Sequence, residues 1–371
     1  MSCIAIVIDT LSGGGAEQVM LRLASTMISE GYEVKFIVIN PKVSHAVPDN
    51  IELIFVRDRG TARGRKWTYY RRAAEELQKV LDSLNEQQSI DAVLSNLPET
   101  DRITRHLHGY KVFHCIHNSF YHGLIKNKKG PLQRWLKKKR LQILYNHKHL
   151  IFVSEGAKED LQQRIGVRPT TSQIIYNPFP VAEIQRLAEA GPVEYQDYFL
   201  HVGRFNRQKR HDKLLQIYSE SGLTNPLLLM GEGTTDQTAA IKQLIEQYNL
   251  EDHVRLIGFK PNPFPYIRHA LALLLTSDYE GLPTVVIESL ICGTPAVVYD
   301  CPSGPREILT GKIREFLIPF NDSKAFIEKI KTLAVNPRRI SGKQWDPNKF
   351  EAKKIVHKYM EVLQQNQPNE I

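Results

Sequence analysis

Short apolar runs alternate along the chain with stretches of helical periodicity. In the first half, the apolar runs predict strands at 3–9, 33–40, 51–56, 92–96, 111–116 and 150–154. Because these runs are rich in valine and isoleucine and show no polar alternation, they are typical of strands buried on both faces of a parallel sheet. The periodicity between them predicts helices at 16–30, 67–84 and 155–165.

The series stops at residues 176–180 (YNPFP), where two prolines predict an extended connector. It then restarts, with strands predicted at 198–203, 227–230, 254–258, 272–276 and 296–300, and helices near 211–221, 235–248, 283–292 and 323–333. Two such series predict an α/β protein of two doubly wound, Rossmann-like domains that face each other across a cleft. The predicted domains span 1–178 and 179–345, and a last helical segment follows in 346–371.

The composition is that of an ordinary enzyme. A length of 371 residues agrees with two domains, and 42% apolar with 24% charged residues is usual for a soluble globular protein. The four cysteines form no CxxC pair and no metal-ligand spacing, so we expect reduced thiols in a cytosolic protein and no metal site. The N-terminal apolar run is short and lacks preceding basic residues, which predicts a strand rather than a signal peptide. No apolar segment reaches the ~18–20 residues of a membrane span, so we expect the protein to touch a membrane without crossing it.

The formal net charge of +9 is concentrated in the first half of the chain. Residues 1–190 carry 27 basic and 19 acidic side chains, whereas residues 191–371 carry 22 and 21. This excess excludes an acidic, disordered protein and favours an anionic partner, which would be a nucleotide, a nucleic acid or a membrane surface.

Two clusters that mix basic and aromatic residues account for much of the excess. In the second cluster, a helical wheel places four apolar residues on one side with cations around them: Leu132, Trp135, Leu136 and Ile143. This pattern is typical of a helix lying in an anionic lipid surface, where each basic side chain contributes ~1 kcal/mol. A solvated basic face and a nucleic-acid-binding surface are the other interpretations, although no nucleic-acid-binding motif is present. The predicted membrane-facing residues are Arg63, Arg65, Lys66, Trp67, Trp135, Lys137, Lys138, Lys139 and Arg140.

A glycine-rich loop follows the first predicted strand in the sequence DTLSGGGAEQ. Glycines such as Gly14 and Gly15 let the backbone approach a ligand, and the following helix offers free N–H groups to an anion. The loop is not a GxGxxG sequence and the second strand ends at Asn40 rather than at an acid, which argues against a dinucleotide site. We therefore expect phosphate or sugar contact here, and a flexible turn without a ligand is the alternative.

A second candidate site lies at residues 202–209 (VGRFNRQK), after the first strand of the second domain. Arg204 and Lys209 leave the carboxyl edge of the sheet, where open α/β sheets bind ligands. Two fixed cations at that edge can hold a diphosphate and stabilise its charge as it departs. For an isolated sequence of this kind, a solvated basic loop is the alternative.

A third candidate site lies at residues 276–290 (TSDYEGLPTVVIESL) and also follows a predicted strand. Pro283 suits the first position of a helix, which puts Glu280 in the loop and Glu288 on the second helical turn. The intervening backbone N–H groups can bind a phosphate, and a carboxylate can bind both hydroxyls of a ribose. The two glutamates can therefore hold two ends of a nucleotide sugar. Apolar neighbours at both positions argue against two merely solvent-exposed glutamates.

This E-x7-E spacing within SDYEGLPTVVIESLICGTPAVV resembles the donor motif of glycosyltransferase family 4, a family of retaining enzymes with the GT-B fold. Other segments match in order, namely GGGAEQ, VSEGAKEDL, IIYNPF, VGRFNRQK, MGEG and DCPSGPREIL. The resemblance covers nearly the whole chain and is strongest in the second domain. The last segment is similar to that of bacterial enzymes that build lipopolysaccharide and lipid-linked glycans.

The resemblance implies a role for each matching residue. Glu288 would hold the ribose hydroxyls, and Glu280 would lie against the donor sugar. Arg204 and Lys209 would stabilise the departing diphosphate in place of a metal. His117 matches the histidine that faces the reacting sugar in this family, whereas by sequence alone it would be a core histidine. The last helix would cross back onto the first domain, and the other implied donor contacts are Gly14, Gly15, Gly258, Phe259, Gly281, Leu282, Pro283 and Thr284.

The predicted function is that of a retaining glycosyltransferase on the cytoplasmic face of the membrane. It would move a hexose or N-acetylhexosamine from a UDP-sugar to a lipid-linked saccharide, either lipopolysaccharide core or a polyprenyl-linked glycan. The resemblance implies that it needs no cofactor and no metal, and the absence of an Asp-x-Asp sequence fits the metal independence of GT-B enzymes. Two other hypotheses stay open: a UDP-sugar epimerase of the same architecture, and a basic nucleic-acid-binding protein.

Overall fold

The computed structural model describes residues 2–12, 14–56, 66–126, 130–191 and 193–364, with the backbone alone at 66–68. The chain divides into two compact units. The first comprises Met1–Phe179 together with Lys349–Ile371, and the second is Pro180–Asn348. The first boundary falls inside the proline-containing segment at 176–180, and the second falls three residues after the sequence-based boundary at 345.

The first unit is built on a parallel sheet. Its described strands are β1 (Cys3–Ile8), β2 (Glu33–Val38), β3 (Leu53–Phe55), β4 (Ala92–Asn96), β5 (Val112–Ile116), β6 (His149–Phe152) and β7 (Thr171–Ile174), in the spatial order 3-2-1-4-5-6-7. Neighbouring strands all pair in parallel. Helices connect them, namely α1 (Gly15–Ser29), α2 (Lys66–Gln87), α3 (Pro98–Thr104), α4 (Pro131–Tyr145) and α5 (Glu155–Glu159), with π-helical segments at Tyr121–Ile125 and Asp160–Arg164. The strand order reverses between β1 and β4, which is where open α/β sheets bind ligands.

The second unit repeats this plan. Its described helices are α6 (Val181–Ala188), α7 (His211–Ser221), α8 (Thr235–Gln247), α9 (Phe264–His269), α10 (Thr284–Ile291), α11 (Pro305–Ile308) and α12 (Ser323–Val335). They surround β8 (Phe199–Val202), β9 (Leu227–Met230), β10 (Val254–Gly258), β11 (Ala272–Leu275), β12 (Ala296–Tyr299) and β13 (Leu317–Ile318), in the order 10-9-8-11-12-13. These strands are also parallel throughout.

The last helix, α13 (Ala352–Gln364), belongs to the first unit although it follows the second unit in sequence. Its buried residues, such as Ile355 and Tyr359, join α1 and one face of β1 in a single hydrophobic cluster. The other face of β1 packs with residues of α2 in a second cluster. Because successive strand residues point to opposite faces, β1 supplies both clusters. The first unit therefore contains both the first strand, β1, and the last helix, α13.

The α/β class is confirmed, and the predicted strands and helices are present with ends shifted by up to three residues. The helix predicted at 155–165 is the α-helical turn α5 followed by a π-helical segment. Sequence patterns missed β7, whose sequence TSQI is polar, and β13, which has two residues. They also missed α3, α6 and α9, because helices of six to eight residues are too short to establish a period. No helix in the described ranges is both long and apolar enough to span a membrane.

Candidate functional site

In the second unit, Lys209 and Glu280 form a partly buried ion pair. Lys209 Nζ lies 2.8 Å from Glu280 Oε1, and the two side chains are 14% and 8% exposed. The lysine ends a short 3-10 turn at Arg207–Lys209, and its backbone N–H donates to Asn206 Oδ1 at 3.2 Å. The glutamate stands in the loop after β11. The structure thus brings together two predicted site residues that are 71 positions apart in sequence.

Hydrogen bonds between the two loops fix this pair. Asp278 N–H donates to the Gln208 carbonyl at 2.9 Å, and Gln208 Nε2 donates to the Tyr279 carbonyl at 2.8 Å. Arg210 adds an ion pair with Asp278 at 2.8 Å. The residues on either side of Lys209 are therefore tied to the loop that carries Glu280, which holds the ammonium and the carboxylate in register.

Two glycines let neighbouring loops approach at this edge. A Cβ on Gly231, whose φ is +143°, would lie 2.0 Å from the carbonyl oxygen of Gly203. A Cβ on Gly304, whose φ is +89°, would lie 2.7 Å from both the Gly281 carbonyl and Pro283 Cδ. Only glycine fits either position without movement of the backbone. The loops after β8 and β9 therefore pack together, as do the loops that precede α10 and α11.

The other predicted donor contacts lie along the same carboxyl edge of the second sheet. Glu288 is on the second turn of α10 and is 9% exposed. Thr284 is the first helical residue, whereas Pro283, which was predicted at that position, precedes it. Gly281, Leu282, Pro283 and Thr284 lead directly from Glu280 into the helix, Gly258 ends β10 with φ +69°, and Arg204 and Phe259 are exposed.

Two buried histidines lie beneath the loop that carries Lys209. His201 Nδ1 donates to the Leu274 carbonyl at 2.9 Å, and the His201 and His211 rings are 4.7 Å apart. Burial and, to a smaller extent, the Lys209 ammonium together lower the pKa of His211 to about 4. Burial also puts the pKa of His201 well below its ordinary value. Both imidazoles are therefore neutral near pH 7, and the charge at this position is carried by Lys209.

In the first unit, His117 directly follows β5 and is held by the residue that ends β4. His117 Nε2 lies 3.0 Å from Asn96 Oδ1, and Asn96 Nδ2 donates to the Leu94 carbonyl at 3.1 Å. Because the amide N–H groups are used there, Oδ1 faces the ring, so Nε2 carries the proton. Burial lowers the pKa of His117 to about 4, which keeps the ring neutral. Its Nδ1 is buried without a hydrogen-bond partner among the described residues and has a lone pair to offer.

Sequence reasoning missed Asn96 and the strained residue that follows it. Leu97 has φ +75° and ψ +148°, a conformation that is nearly confined to glycine. The strain falls in the turn between β4 and α3, at the carboxyl end of a strand that borders the reversal of strand order. The only sequence signal is the position of Asn96 at the end of a predicted strand.

The glycine loop contains a carboxylate that was also missed. Gly14 N–H donates to the side chain of Glu17, which is 6% exposed, and Gly15 is the first residue of α1. His45 Nε2 lies 3.4 Å from Glu17 Oε2. Gly14 precedes the helix and Glu17 is its third residue. A glutamate at this third position is a recognisable capping pattern. The Gly14 amide is therefore occupied by a protein carboxylate, and its predicted approach to the donor stays a prediction.

The predicted membrane-facing residues are described only in part. Arg63 and Arg65 lie outside the described residues, as do the side chains of Lys66 and Trp67. The helix α4 buries its inner residues and exposes a row of large apolar side chains together with Lys139 and Arg140, while Lys137 and Lys138 are half-buried. The exposed apolar residues of α4 are Leu132, Trp135, Leu136 and Ile143. Lys139 Nζ stands 5.9 Å from the centre of the Trp135 ring, so cations and apolar groups share this face.

Comparison with known protein families gives two matches that together span most of the chain. Residues 13–183 match the model described as Glycosyltransferase Family 4, and residues 185–351 match that of Glycosyl transferases group 1. Among curated relatives, the chain is 28% identical over 338 residues to N-acetylgalactosamine-N,N'-diacetylbacillosaminyl-diphospho-undecaprenol 4-alpha-N-acetylgalactosaminyltransferase of Campylobacter jejuni, covering 90% of each chain. It is 29% identical to lipopolysaccharide 1,6-galactosyltransferase of Escherichia coli, covering 47% of this chain and 49% of the relative.

Solved structures with the same fold cover both units. Sucrose-phosphate synthase of Thermosynechococcus elongatus superposes with a TM-score of 0.76 at 18% identity, covering 98% of this chain and 99% of its own. HepE of Anabaena, solved with UDP and glucose, gives 0.71 at 16% identity, covering 98% and 100%.

The class of the protein follows from the two Rossmann-like sheets and these matches: it is a glycosyltransferase with the GT-B fold. More particularly, it is a glycosyltransferase similar to those of family 4, since the two family models match consecutive segments of the chain. The fold class and the family resemblance inferred from the sequence are both confirmed.

Proposed function

We propose that the protein is a retaining glycosyltransferase that moves a hexose or N-acetylhexosamine from a UDP-sugar to a lipid-linked saccharide. The acceptor would be lipopolysaccharide core or a polyprenyl-linked glycan. The names of the Campylobacter and Escherichia coli relatives support an acceptor of this kind, and the UDP in the HepE structure supports the nucleotide.

The observation that carries this proposal is the Lys209–Glu280 pair at the carboxyl edge of the second sheet. A donor diphosphate placed there competes with Glu280 for the ammonium of Lys209. The carboxylate is then available to accept hydrogen bonds from sugar hydroxyls. A charge held this rigidly is effective in stabilising the diphosphate as it departs, because it needs no reorganisation during the reaction.

The remaining residues would complete donor binding. Glu288 would accept both ribose hydroxyls, while Arg204 and the N–H groups at the start of α10 would contact the phosphates. Backbone at Gly258 and Phe259 would meet the base. In the other unit, the glycine loop at Gly14 and Gly15 would approach the donor. These groups would stabilise the leaving group without a metal ion or other cofactor.

His117 would face the reacting sugar. Because its ring is neutral and its Nε2 proton is used by Asn96, His117 has its Nδ1 lone pair left for a sugar hydroxyl, and donor binding would have to uncover this buried atom. The acceptor oxygen would form its bond to the anomeric carbon on the face from which the diphosphate leaves. Its proton would pass to the departing phosphate oxygen, and the anomeric configuration would be retained.

The protein would work as a peripheral protein on the cytoplasmic face of the membrane. The support for this part is the mixed basic and apolar face of α4. Its exposed leucines, tryptophan and isoleucine would enter the interface, while the lysines and Arg140 would meet anionic headgroups. Peripheral binding would place the site near a membrane-borne acceptor.

The test is sugar transfer by Lys209→Ala and Glu288→Ala, with Lys242→Ala on the exposed face of α8 as the matched control. Loss of Lys209 removes stabilisation of the leaving group, so we expect kcat to fall by about 10²- to 10³-fold. Loss of Glu288 removes ribose binding in ground and transition state alike, so we expect mainly a rise in KM. Lys242→Ala should retain full activity.

Retained activity in both site variants would contradict the assignment. Conversion of the donor to an isomeric UDP-sugar when no acceptor is present would favour the epimerase instead. Proton NMR of the product measures the anomeric configuration, and an inverted product would rule out the retaining mechanism. Loss of transfer in EDTA would rule out metal independence.

A further inference from the structure

A buried carboxylate holds the segment that follows β5 at two points, a few residues after His117 in the sequence. Asp160 Oδ1 accepts a hydrogen bond from Ser119 Oγ at 2.7 Å, and Asp160 Oδ2 accepts one from Tyr121 N–H at 2.8 Å. His122 Nδ1 lies 3.1 Å from the same Oδ1 and 2.9 Å from Ser119 Oγ. The side chains of Ser119, His122 and Asp160 are all buried. The network therefore lies in the interior of the first unit.

Serine, histidine and aspartate in contact resemble a hydrolytic triad, but this arrangement excludes one. In a triad, the carboxylate and the serine hydroxyl bind opposite nitrogens of the imidazole. Here Ser119 Oγ and Asp160 Oδ1 both approach Nδ1 of His122. The ring therefore cannot be oriented by the aspartate at one nitrogen while it takes the serine proton at the other. The network fixes the position of a segment and performs no chemistry of its own.

The segment that it fixes carries His117. Ser119 and Tyr121 follow His117 by two and four residues, so little chain separates the anchored atoms from the imidazole. From the other side, Asn96 holds the ring itself at 3.0 Å. The side chain of His117 is thus held by Asn96 at the end of β4. Asp160 holds the chain just after His117, through Ser119 and Tyr121.

The two π-helical segments of the first unit meet at this network. Tyr121 begins one and Asp160 begins the other, and the two segments pack against each other. π-helical turns are rare, and they occur frequently at functional sites. Asp160 and Tyr121, which are joined by a hydrogen bond, each begin a π-helical segment. This local geometry is typical of a functional site.

We propose that Asp160, together with Ser119, is a positioning residue for His117. Its carboxylate determines where the imidazole stands relative to the reacting sugar. This inference rests on the proposed role of His117 in sugar transfer. Since a misplacement of ~1 Å can cost ~10²-fold in rate, Asp160→Asn should lower kcat by about 10- to 100-fold. UDP affinity should not change, because UDP binding is assigned to the second unit.

A double-mutant cycle with His117→Ala separates positioning from general stability. If Asp160 acts through His117, Asp160→Asn should lower kcat by no more than about 2-fold once the imidazole is absent. Asp82→Asn is the matched control, because Asp82 is a carboxylate of α2 that binds the Tyr110 hydroxyl at 2.7 Å. That variant should leave kcat unchanged. Losses of equal size in both backgrounds would overturn the positioning role.

A second measurement needs no activity. In protein labelled at histidine, Asp160→Asn should shift the Nε2–H resonance of His117, whereas Asp82→Asn should not. An unchanged resonance would overturn the proposal. If Asp160→Asn is too unstable, Ser119→Ala takes its place in both measurements, and Ser119→Thr should restore the wild-type value. A wild-type protein that transfers no sugar overturns the proposed function and this inference with it, whereas normal wild-type transfer with an additive cycle overturns the positioning role alone.

Discussion

The first and second units share a strand order but carry charge in different ways. In the first, residues 1–179 and 349–371 carry 30 basic and 20 acidic side chains, and the basic side chains of α4 lie beside exposed apolar groups. The candidate site residues of that unit, His117 and Asn96, are neutral. In the second unit, residues 180–348 carry 19 basic and 20 acidic side chains, and the candidate site is built on a partly buried ion pair between Lys209 and Glu280.

The difference separates two uses of positive charge. A surface that meets many anionic groups gains from many cations, each of which contributes little. A site that binds one diphosphate gains from one cation held in place, because a buried and paired charge loses little freedom on binding. The net charge of +9 therefore describes a surface of the first unit, whereas the predicted donor chemistry depends on a few fixed groups of the second.

The largest expected effect concerns α13, which belongs to the first unit and not to the second. Tyr359 is fully buried in the cluster that joins α13 to α1 and β1. Tyr359→Ala should lower the free energy of unfolding of the first unit by ~3–5 kcal/mol, as expected for loss of a buried aromatic ring. Tyr359→Phe, which keeps the ring, should cost far less, because the packing of the ring is preserved. Hydrogen exchange followed in each unit during urea titration measures both, and equal destabilisation of the second unit would contradict the division.

An intermediate effect concerns the buried neutral histidines. Because the pKa of His211 is about 4 in the folded chain, against an ordinary value of 6.5, the unfolded chain binds more protons between these pH values. The contribution of the neutral imidazole to the free energy of unfolding is therefore complete above pH ~6.5. It falls as the pH drops toward 4, by roughly 1.4 kcal/mol per pH unit for each such histidine. His211→Gln should make the acid side of the stability curve shallower by this amount. An unchanged slope in urea titrations from pH 6.5 to 4.5 would contradict the assignment of a neutral imidazole.

The smallest expected effect concerns single cations on α4. Lys139→Ala should weaken binding to vesicles with anionic lipid by ~1 kcal/mol, or about fivefold in the partition coefficient. Lys331→Ala, on the exposed side of α12 in the second unit, is the control and should have no effect. The difference between the variants should shrink as salt is added, because salt screens exposed charges. Equal partitioning of both variants would remove the membrane role of α4.

Much of the fold was predictable because both sheets are parallel and buried, which makes their strands continuous apolar runs. Glu280 and Glu288 were identifiable because one helix start relates them locally. The contact of Glu280 with Lys209 was not predictable, since it depends on how β8 and β11 lie side by side. Asp160 gave no signal, because its partners are about 40 residues away and no periodicity marks them. Glu17 was identifiable in principle from its capping position.

The central claim is that the second unit binds a UDP-sugar through Lys209, Glu280 and Glu288. Thermal unfolding of the wild type and Glu288→Ala in UDP-, GDP- and ADP-sugars tests it most directly. A ligand present at 100 times its Kd stabilises the folded state by ~2.7 kcal/mol. We expect a stabilisation of this size for the wild type with a UDP-sugar, and a much smaller one for Glu288→Ala at the same concentration. Stabilisation by a GDP- or ADP-sugar instead, or equal stabilisation of both proteins, would contradict the account.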